Sequence, residues 1–560
     1  MNIFNHFKQS QRDDKRVRTF CVVVAGTIFS LATTVCAQPA SQYYVHPAVD
    51  GDTLVHLAKR YLIKPNDWQS LQRLNKITNP YRIRPGTEIR IPLIDMKTDQ
   101  AIGKVIASEG PVESGGSKLN VGGSISEGQS IKTGDNGFVT LKLADGSTLV
   151  VQSQSKVTMQ VARTIANTNG VPVTRALLES GRIEAKVEKR AGLAGRFEVT
   201  TPTSNMGVRG TRFRVSSDEG GKASRGEVLE GIVNVADVGA IKSVDLSAGF
   251  GTVIEQGKSP IAPVKLPAAP DLSATARLQE RILLRFKFNE AIGTSAGASA
   301  SAYRAQIATD SAFTDLRAES VFKTAEAKFG DLADGQYFLR VRAIDKQGIE
   351  GTDAAIAFRL KARPEPPFTS APQNNAKFSG EKVDFSWATS TEAASYRFQF
   401  ARDATFATLI ADEKSYKGVN LASATKLSPG QYFWRVASIR PDGDNGPFGD
   451  VQSFTLKPVP AAPNPPKEDG GRIGFSWGAE AGQKFEFQLA RDTTFKDLVM
   501  EQKLDKPEIT IDKPSAAGTY YMRYRATDPD GFVAPYSSAQ SFEVKQNYWW
   551  MLLLLAPLLL

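Results

Sequence analysis

The chain has 560 residues, too many for a single hydrophobic core, so several domains follow. Its 69 basic and 59 acidic residues give a formal charge of +10, but no basic run is interleaved with aromatics, which argues against nucleic acid as a partner. With two cysteines and three histidines, a thiol nucleophile, a histidine-based triad or a zinc centre has little to build on.

The first predicted element is a secretory signal over 1–37. Lys8, Arg12, Lys15, Arg16 and Arg18 form a basic start, an apolar stretch runs from Phe20 to Val35, and Val35-Cys36-Ala37 offers small residues to a signal peptidase. Gln38 is the expected mature start and export the expected fate. Thr33-Thr34-Val35 is a poor lipobox, so ordinary cleavage is expected in place of lipidation at Cys36. Cys21 and Cys36 then leave together. The mature chain keeps His46 and His56, both read as structural, and no metal or cofactor is expected.

Residues 42–94 read as two short amphipathic helices between two short strands. Leu54, Leu57, Ala58, Tyr61 and Leu62 make one apolar stripe, preceded by Gly51, Asp52 and Thr53 as turn and cap residues. A second helix carries Trp68, Leu71 and Leu74, with Asn66 at a capping-box distance from Gln69. Asn79, Pro80 and Tyr81 turn the chain, Pro85-Gly86 opens the last strand, and Ile89, Ile91 and Leu93 alternate along it. The stretch resembles a LysM module through Gly51-Asp52-Thr53-Leu54, Trp68, Leu71, Leu74-Asn75, Ile77, Asn79-Pro80, Ile83, Pro85-Gly86 and Ile89-Arg90-Ile91-Pro92. The resemblance implies a βααβ fold that binds N-acetylglucosamine polymers such as peptidoglycan. It places the sugar between two loops, here Asp50, Gly51, Asp52, Thr53 and Leu54 on one side and Ile77, Asn79, Pro80, Tyr81 and Ile83 on the other. Leu54, Ile77 and Tyr81 are the expected apolar contacts. Trp68 is expected in the core, and Asp52 and Thr53 serve as readily as helix caps.

Residues 100–258 are dense in Gly, Ser, Thr and Val, with short alternating runs and no convincing helix. Strands are predicted at Phe138–Leu143, Thr148–Val151, Arg182–Val187, Arg196–Thr200 and, as one run, Val208–Val215, with a hairpin turn at Asp145-Gly146. An all-β domain follows. It resembles the FecR domain through Thr133-Gly134, Gly137-Phe138, Leu143-Ala144-Asp145-Gly146-Ser147, Thr201-Pro202 and Gly207-Val208-Arg209-Gly210-Thr211 with Phe213 and Val215. The resemblance implies an interaction or structural module. The sensor role of the family's namesake needs a cytoplasmic segment, and only about nineteen residues precede the apolar run. Arg209 is read as a buried, paired arginine.

Beyond a Pro-rich link the chain repeats three times, over 270–361, 364–457 and 460–545. Tyr303-Arg304-Ala305-Gln306 leading to Asp310 and Phe313 returns as Tyr396 to Phe406 and as Phe485 to Phe495. Gly335-Gln336-Tyr337 with Arg340 returns at Gly430 and Arg435 and at Gly518 and Arg523, each followed by a turn glycine, Gly348, Gly443 and Gly531. The repeats look like fibronectin type III or related immunoglobulin-like sandwiches, with Trp387 and Trp477 in their cores. The tail, 546–560, holds Tyr548-Trp549-Trp550 and a leucine run interrupted by Pro557. As a helix it reaches about 20 Å, short of the roughly 30 Å of a bilayer core, and its aromatics suit a membrane interface.

The expected protein is multidomain and mainly β: a small βααβ LysM module, an all-β FecR-like domain and three β-sandwich repeats. The expected function is non-catalytic: attachment to peptidoglycan, with the other domains as spacers or surfaces for further envelope proteins and with membrane contact through the tail. The rivals are a FecR-type envelope sensor and a LysM-targeted cell-wall enzyme.

Overall fold

The computed structural model describes residues 43–168, 170–189, 196–208, 210–239, 241–290 and 300–545. The expected signal segment, Arg209 and the leucine-rich tail lie outside the described residues. The described chain is mainly β, as expected, and carries two α-helices. No helix among the described residues is long and apolar enough to cross a membrane.

Strand β1 (Tyr43–Pro47) pairs antiparallel with β2 (Glu88–Pro92), and α1 (Leu54–Tyr61) and α2 (Trp68–Asn75) lie between them in sequence. The predicted stripe Leu54, Leu57, Ala58, Tyr61, Leu62 is buried. The second helix starts later than its capping box implies. Its N-cap is Asp67, not Asn66, and no side chain caps it. Instead, Ser70 Oγ donates to the Asp67 carbonyl at 2.6 Å, a local bond that competes with a box at Gln69.

The module does not close its core alone. Ile165 and Val171, from the tip of the hairpin formed by strands Lys156–Ile165 and Val171–Lys186, pack into the same cluster as Leu54, Leu57 and Tyr61. Asn167 Nδ2 donates to the Arg60 carbonyl at 3.1 Å, and Lys97 Nζ to the Lys59 carbonyl at 2.7 Å.

The strands from Thr98–Gln100 to Val264–Lys265 form a closed barrel. The 16-residue strand Val171–Lys186 organises it: its first part pairs with Lys156–Ile165 and Arg196–Thr200, its second with Thr148–Val151 and Arg212–Ser217. The expected single run Val208–Val215 is instead two strands with different partners. Ser204–Val208 joins Ile232–Asp237, whereas Arg212–Ser217 joins Ala223–Glu230. Gly210, at φ +60°, permits the break.

Each repeat is two sheets closed on an aromatic core, in which Trp387, Trp434 and Trp477 are buried. The three copies share one register: Gln306 lies opposite Arg340, Gln399 opposite Arg435, Gln488 opposite Arg523. Phe313, Phe406 and Phe495 take positive φ and put a ring 4.4, 3.9 and 3.9 Å from the respective guanidinium. The carboxylates of Asp310, Asp403 and Asp492 hold these turns by accepting backbone N–H groups.

The first repeat is set against the barrel. Phe138 and Val150 of the barrel pack with Ala308, Phe313 and Leu316, and Thr140 Oγ1 donates to the Thr314 carbonyl at 2.5 Å. Beside this apolar contact lies a buried ionic cluster. Glu184 receives Arg212 at 2.8 Å from its own domain and Arg340 at 2.9 Å from the repeat. Glu350 receives Arg304 at 2.6 Å and Arg342 at 3.3 Å, and Arg214 Nη2 donates to the Gly351 carbonyl at 2.9 Å. Burial alone would raise the Glu184 and Glu350 carboxyls. Arg340 and Arg342 around the first, and Arg304 and Arg342 around the second, hold both well below the ordinary carboxylate range. Glu227 goes the other way: burial and the charge of Glu350 push it up to about 7. In the second and third repeats the matching arginines are covered from within, Arg435 by Phe448 at 4.2 Å and Arg523 by Tyr536 at 4.0 Å. Where those copies have an aromatic, the first has Asp353, which sits 3.6 Å from Arg214 of the barrel.

Candidate functional site

The two loops that flank the start of α1 and the end of α2 are each fixed by short-range bonds. Gly51 takes φ +86°, Thr53 is extended, and Thr53 Oγ1 accepts the His56 amide at 3.0 Å, which starts α1. Asp52 faces inward: its carboxylate accepts the Val49 amide at 2.9 Å and pairs with His46 Nε2 at 2.8 Å. Partial burial raises the Asp52 carboxyl, but the Val49 amide, His46 and Arg60 together hold it below its usual value. Tyr61 OH meets His46 Nδ1 at 3.3 Å, and burial pushes the Tyr61 phenol up to about 12. Asp52 and His46 are therefore a strut under the first loop, and His56 is exposed on α1.

The second loop begins where Lys76, in the left-handed conformation, ends α2. Gln72 ties it down through Nε2 to the Ile77 carbonyl at 3.0 Å, and Asn79 Oδ1 accepts the Tyr81 amide at 3.0 Å. The Leu54 amide donates to the Pro80 carbonyl at 2.8 Å and joins the two loops. Asn75 bonds the backbone of Arg90 in both directions, at 2.8 and 2.7 Å, and fixes α2 to β2.

The residues expected at a sugar site separate into three groups. Asp50, Gly51, Asn79 and Tyr81 are exposed, and Tyr81 keeps 67% of its surface open. Asp52, Thr53, Ile77 and Pro80 are half-buried. Leu54 and Ile83 are core residues at 0% and 6% exposure, so Leu54 gives a sugar no apolar face, because its side chain completes the α1 stripe. Trp68 is half-buried at the edge of the core, with its ring 6.3 Å from that of Tyr81. It backs the exposed ring, a role its helical spacing does not reveal. The amides of Asp50, Gly51, Thr78 and Asn79 donate to no acceptor among the described residues. An aromatic face beside free N–H groups suits the apolar face and acetamido carbonyl of an N-acetyl sugar. Thr78 is absent from the predicted set because its contribution is backbone, which residue type does not signal.

The LysM domain family model matches residues 49–92, and the FecR protein family model matches residues 129–234. The chain carries a LysM domain and a FecR domain. The LysM match spans both loops, and the FecR match covers the barrel strands that carry Glu184 and Arg214. No curated protein matches the chain. Among solved structures, a putative anti-sigma factor from Parabacteroides distasonis ATCC 8503 is 16% identical over 24% of this chain and 59% of its own, with a TM-score of 0.20. The chain thus spans less than two thirds of that protein. Chicken CNTN1 FN1–FN3 domains are 14% identical over 50% of this chain and 99% of theirs, at a TM-score of 0.20. Clostridium thermocellum CbhA fibronectin(III)-like modules are 14% identical over 32% of this chain and 93% of theirs, also at 0.20. The C-terminal repeats are two-sheet β-sandwiches, and the LysM and FecR domains fit a protein of the cell envelope.

No group of His, Cys, Asp or Glu among the described residues is arranged to hold a metal. A cavity of about 10 Å³ lies in the ionic cluster, lined by Gln152, Arg182, Arg214, Glu227 and Glu350. It has room for about one water and not for a substrate.

Proposed function

We propose that this is an exported, non-catalytic protein that attaches to peptidoglycan through its LysM domain and carries the FecR domain and sandwiches as a spacer with interaction surfaces. The observation that supports it most is the paired-loop site, with Tyr81 open beside four free backbone amides. One shallow site binds weakly, since a millimolar Kd is only about 4 kcal/mol. Retention then rests on many equivalent sites along each glycan strand, or on a second attachment by the tail at a membrane.

The test is sedimentation with insoluble peptidoglycan. The mature chain pellets, and a chain lacking residues 43–95, with Ile165 and Val171 changed to Ser to keep the exposed hairpin tip soluble, stays in the supernatant. Equal pelleting of the two would refute the attachment. Release of muropeptides by pure protein, lost on changing one carboxylate, would replace this reading with an enzyme. For the tail, the same LysM-deleted chain is compared with a version ending at Asn547. Membrane contact predicts that only the longer one leaves the soluble periplasmic fraction.

A further inference from the structure

We infer that the LysM site selects glycans bearing carboxylates, as peptidoglycan does, over neutral chitin, through Arg82 and Arg84. This rests on the peptidoglycan reading above. Between Trp68 and Thr87 the chain has four cations, Arg73, Lys76, Arg82 and Arg84, and no acidic residue. All four are exposed, and none forms an ion pair among the described residues, although ion pairs are frequent in the barrel and repeats. The ion pair within the LysM domain is His46 with Asp52, beneath the first loop.

Arg82 directly follows the open Tyr81 in the second loop, and Arg84 comes two residues later, both exposed. The amides of Tyr81 and Arg82 are bound to Asn79, and Ile83 is sunk in the core, so Arg82 and Arg84 leave the backbone on either side of a fixed point. A sugar lying on Tyr81 brings its substituents to this edge. In chitin every substituent is neutral. In peptidoglycan the alternate sugar carries a lactyl carboxyl, either free or extended by a stem peptide with its own carboxylates. Exposed guanidiniums attract such groups at a range of about 10 Å at 0.1 M salt, and the attraction weakens as salt rises.

The experiment uses the mature chain and its R82Q/R84Q variant on three ligands: intact peptidoglycan, peptidoglycan stripped of stems by an amidase, and chitin oligomers. Both side chains are exposed, and matching thermal unfolding checks that the fold is intact. The variant should bind intact peptidoglycan about fivefold more weakly at low salt, the scale of two surface ion pairs, and lose most of its salt dependence. Chitin binding should be unchanged. A loss on both materials shows that the arginines take either carboxylate, the stem's on intact glycan and the freed lactyl one on stripped glycan; a loss on intact material alone assigns the contact to the stems. Equal loss on chitin, or loss on no ligand, overturns the inference while leaving glycan attachment standing. Failure of the unaltered chain to bind any of the three overturns both.

Discussion

Tyr81 and Leu54 share one loop pair but play opposite parts, and single substitutions separate them. Tyr81→Ala should leave stability within about 0.5 kcal/mol, as exposed substitutions do, and reduce peptidoglycan pelleting. Leu54→Ala should cost about 2–5 kcal/mol and lower the melting temperature of the LysM domain, with pelleting retained wherever the variant is folded. The reverse pattern would move the sugar contact from Tyr81 to Leu54. The sequence made the stripe and both loops legible because helical spacing and turn chemistry are local. It could not divide the remaining loop residues into floor, rim and core: the stripe marks Leu54 for the core, but Ile77, Tyr81 and Ile83 are alike until the fold closes. Asp52 lies in the turn its residue type predicts but does not cap α1, a role that falls to Thr53, and its bond to His46 depends on β1, which no local pattern reveals.

The face shared by the three repeats shows how a single element position changes what a domain does. Phe448 and Tyr536 cover the arginines of their own sheets; Asp353 leaves the first repeat's face uncovered and ionic, and the barrel covers it instead. The result shows at one strand position: Leu316 is 2% exposed, whereas Leu409 and Leu498, at the same register, are 40% exposed. Glu184→Ala should be severe, about 3–5 kcal/mol, because it strands Arg340 without its carboxylate; denaturant unfolding measures it. The cluster also sets a pH response. Glu184, Glu350 and Asp353 are held below their ordinary range, so their contribution is present above that range and is lost in acid. Glu227, raised to about 7, contributes stability that is intact below its ordinary value and is lost as pH rises through 7. Thermal unfolding from pH 5 to 8 should therefore fall in the native chain and flatten in Glu227→Gln. A rise over this range would contradict the assignment. The repeat period was plain in the sequence. The pairing of Glu184 with Arg340 was not, because the partners are 156 positions apart and no local pattern joins them.

At the scale of the whole molecule, two kinds of junction follow one another along the chain. LysM, barrel and first repeat share cores or buried charges, whereas the later repeats meet through more exposed pairs, Arg281 with Asp450 at 2.7 Å and Lys457 with Asp528 at 3.2 Å. Limited proteolysis should cut first in the proline-rich link 458–466 and spare a fragment from the LysM domain through the first repeat. Early cutting near 265–270 would show that the ionic cluster does not hold. The domain order could be read from sequence, but not these junctions, since Ile165 and Val171 look like ordinary strand residues of the barrel. Their place in the LysM core has a mechanical consequence. Were the LysM domain held at the wall as proposed, tension would enter the barrel at two points, along the chain after β2 and through the hairpin tip. Two separated attachments resist twisting as one flexible linker cannot, so an anchored LysM domain would set not only the distance of the barrel but the direction in which it faces.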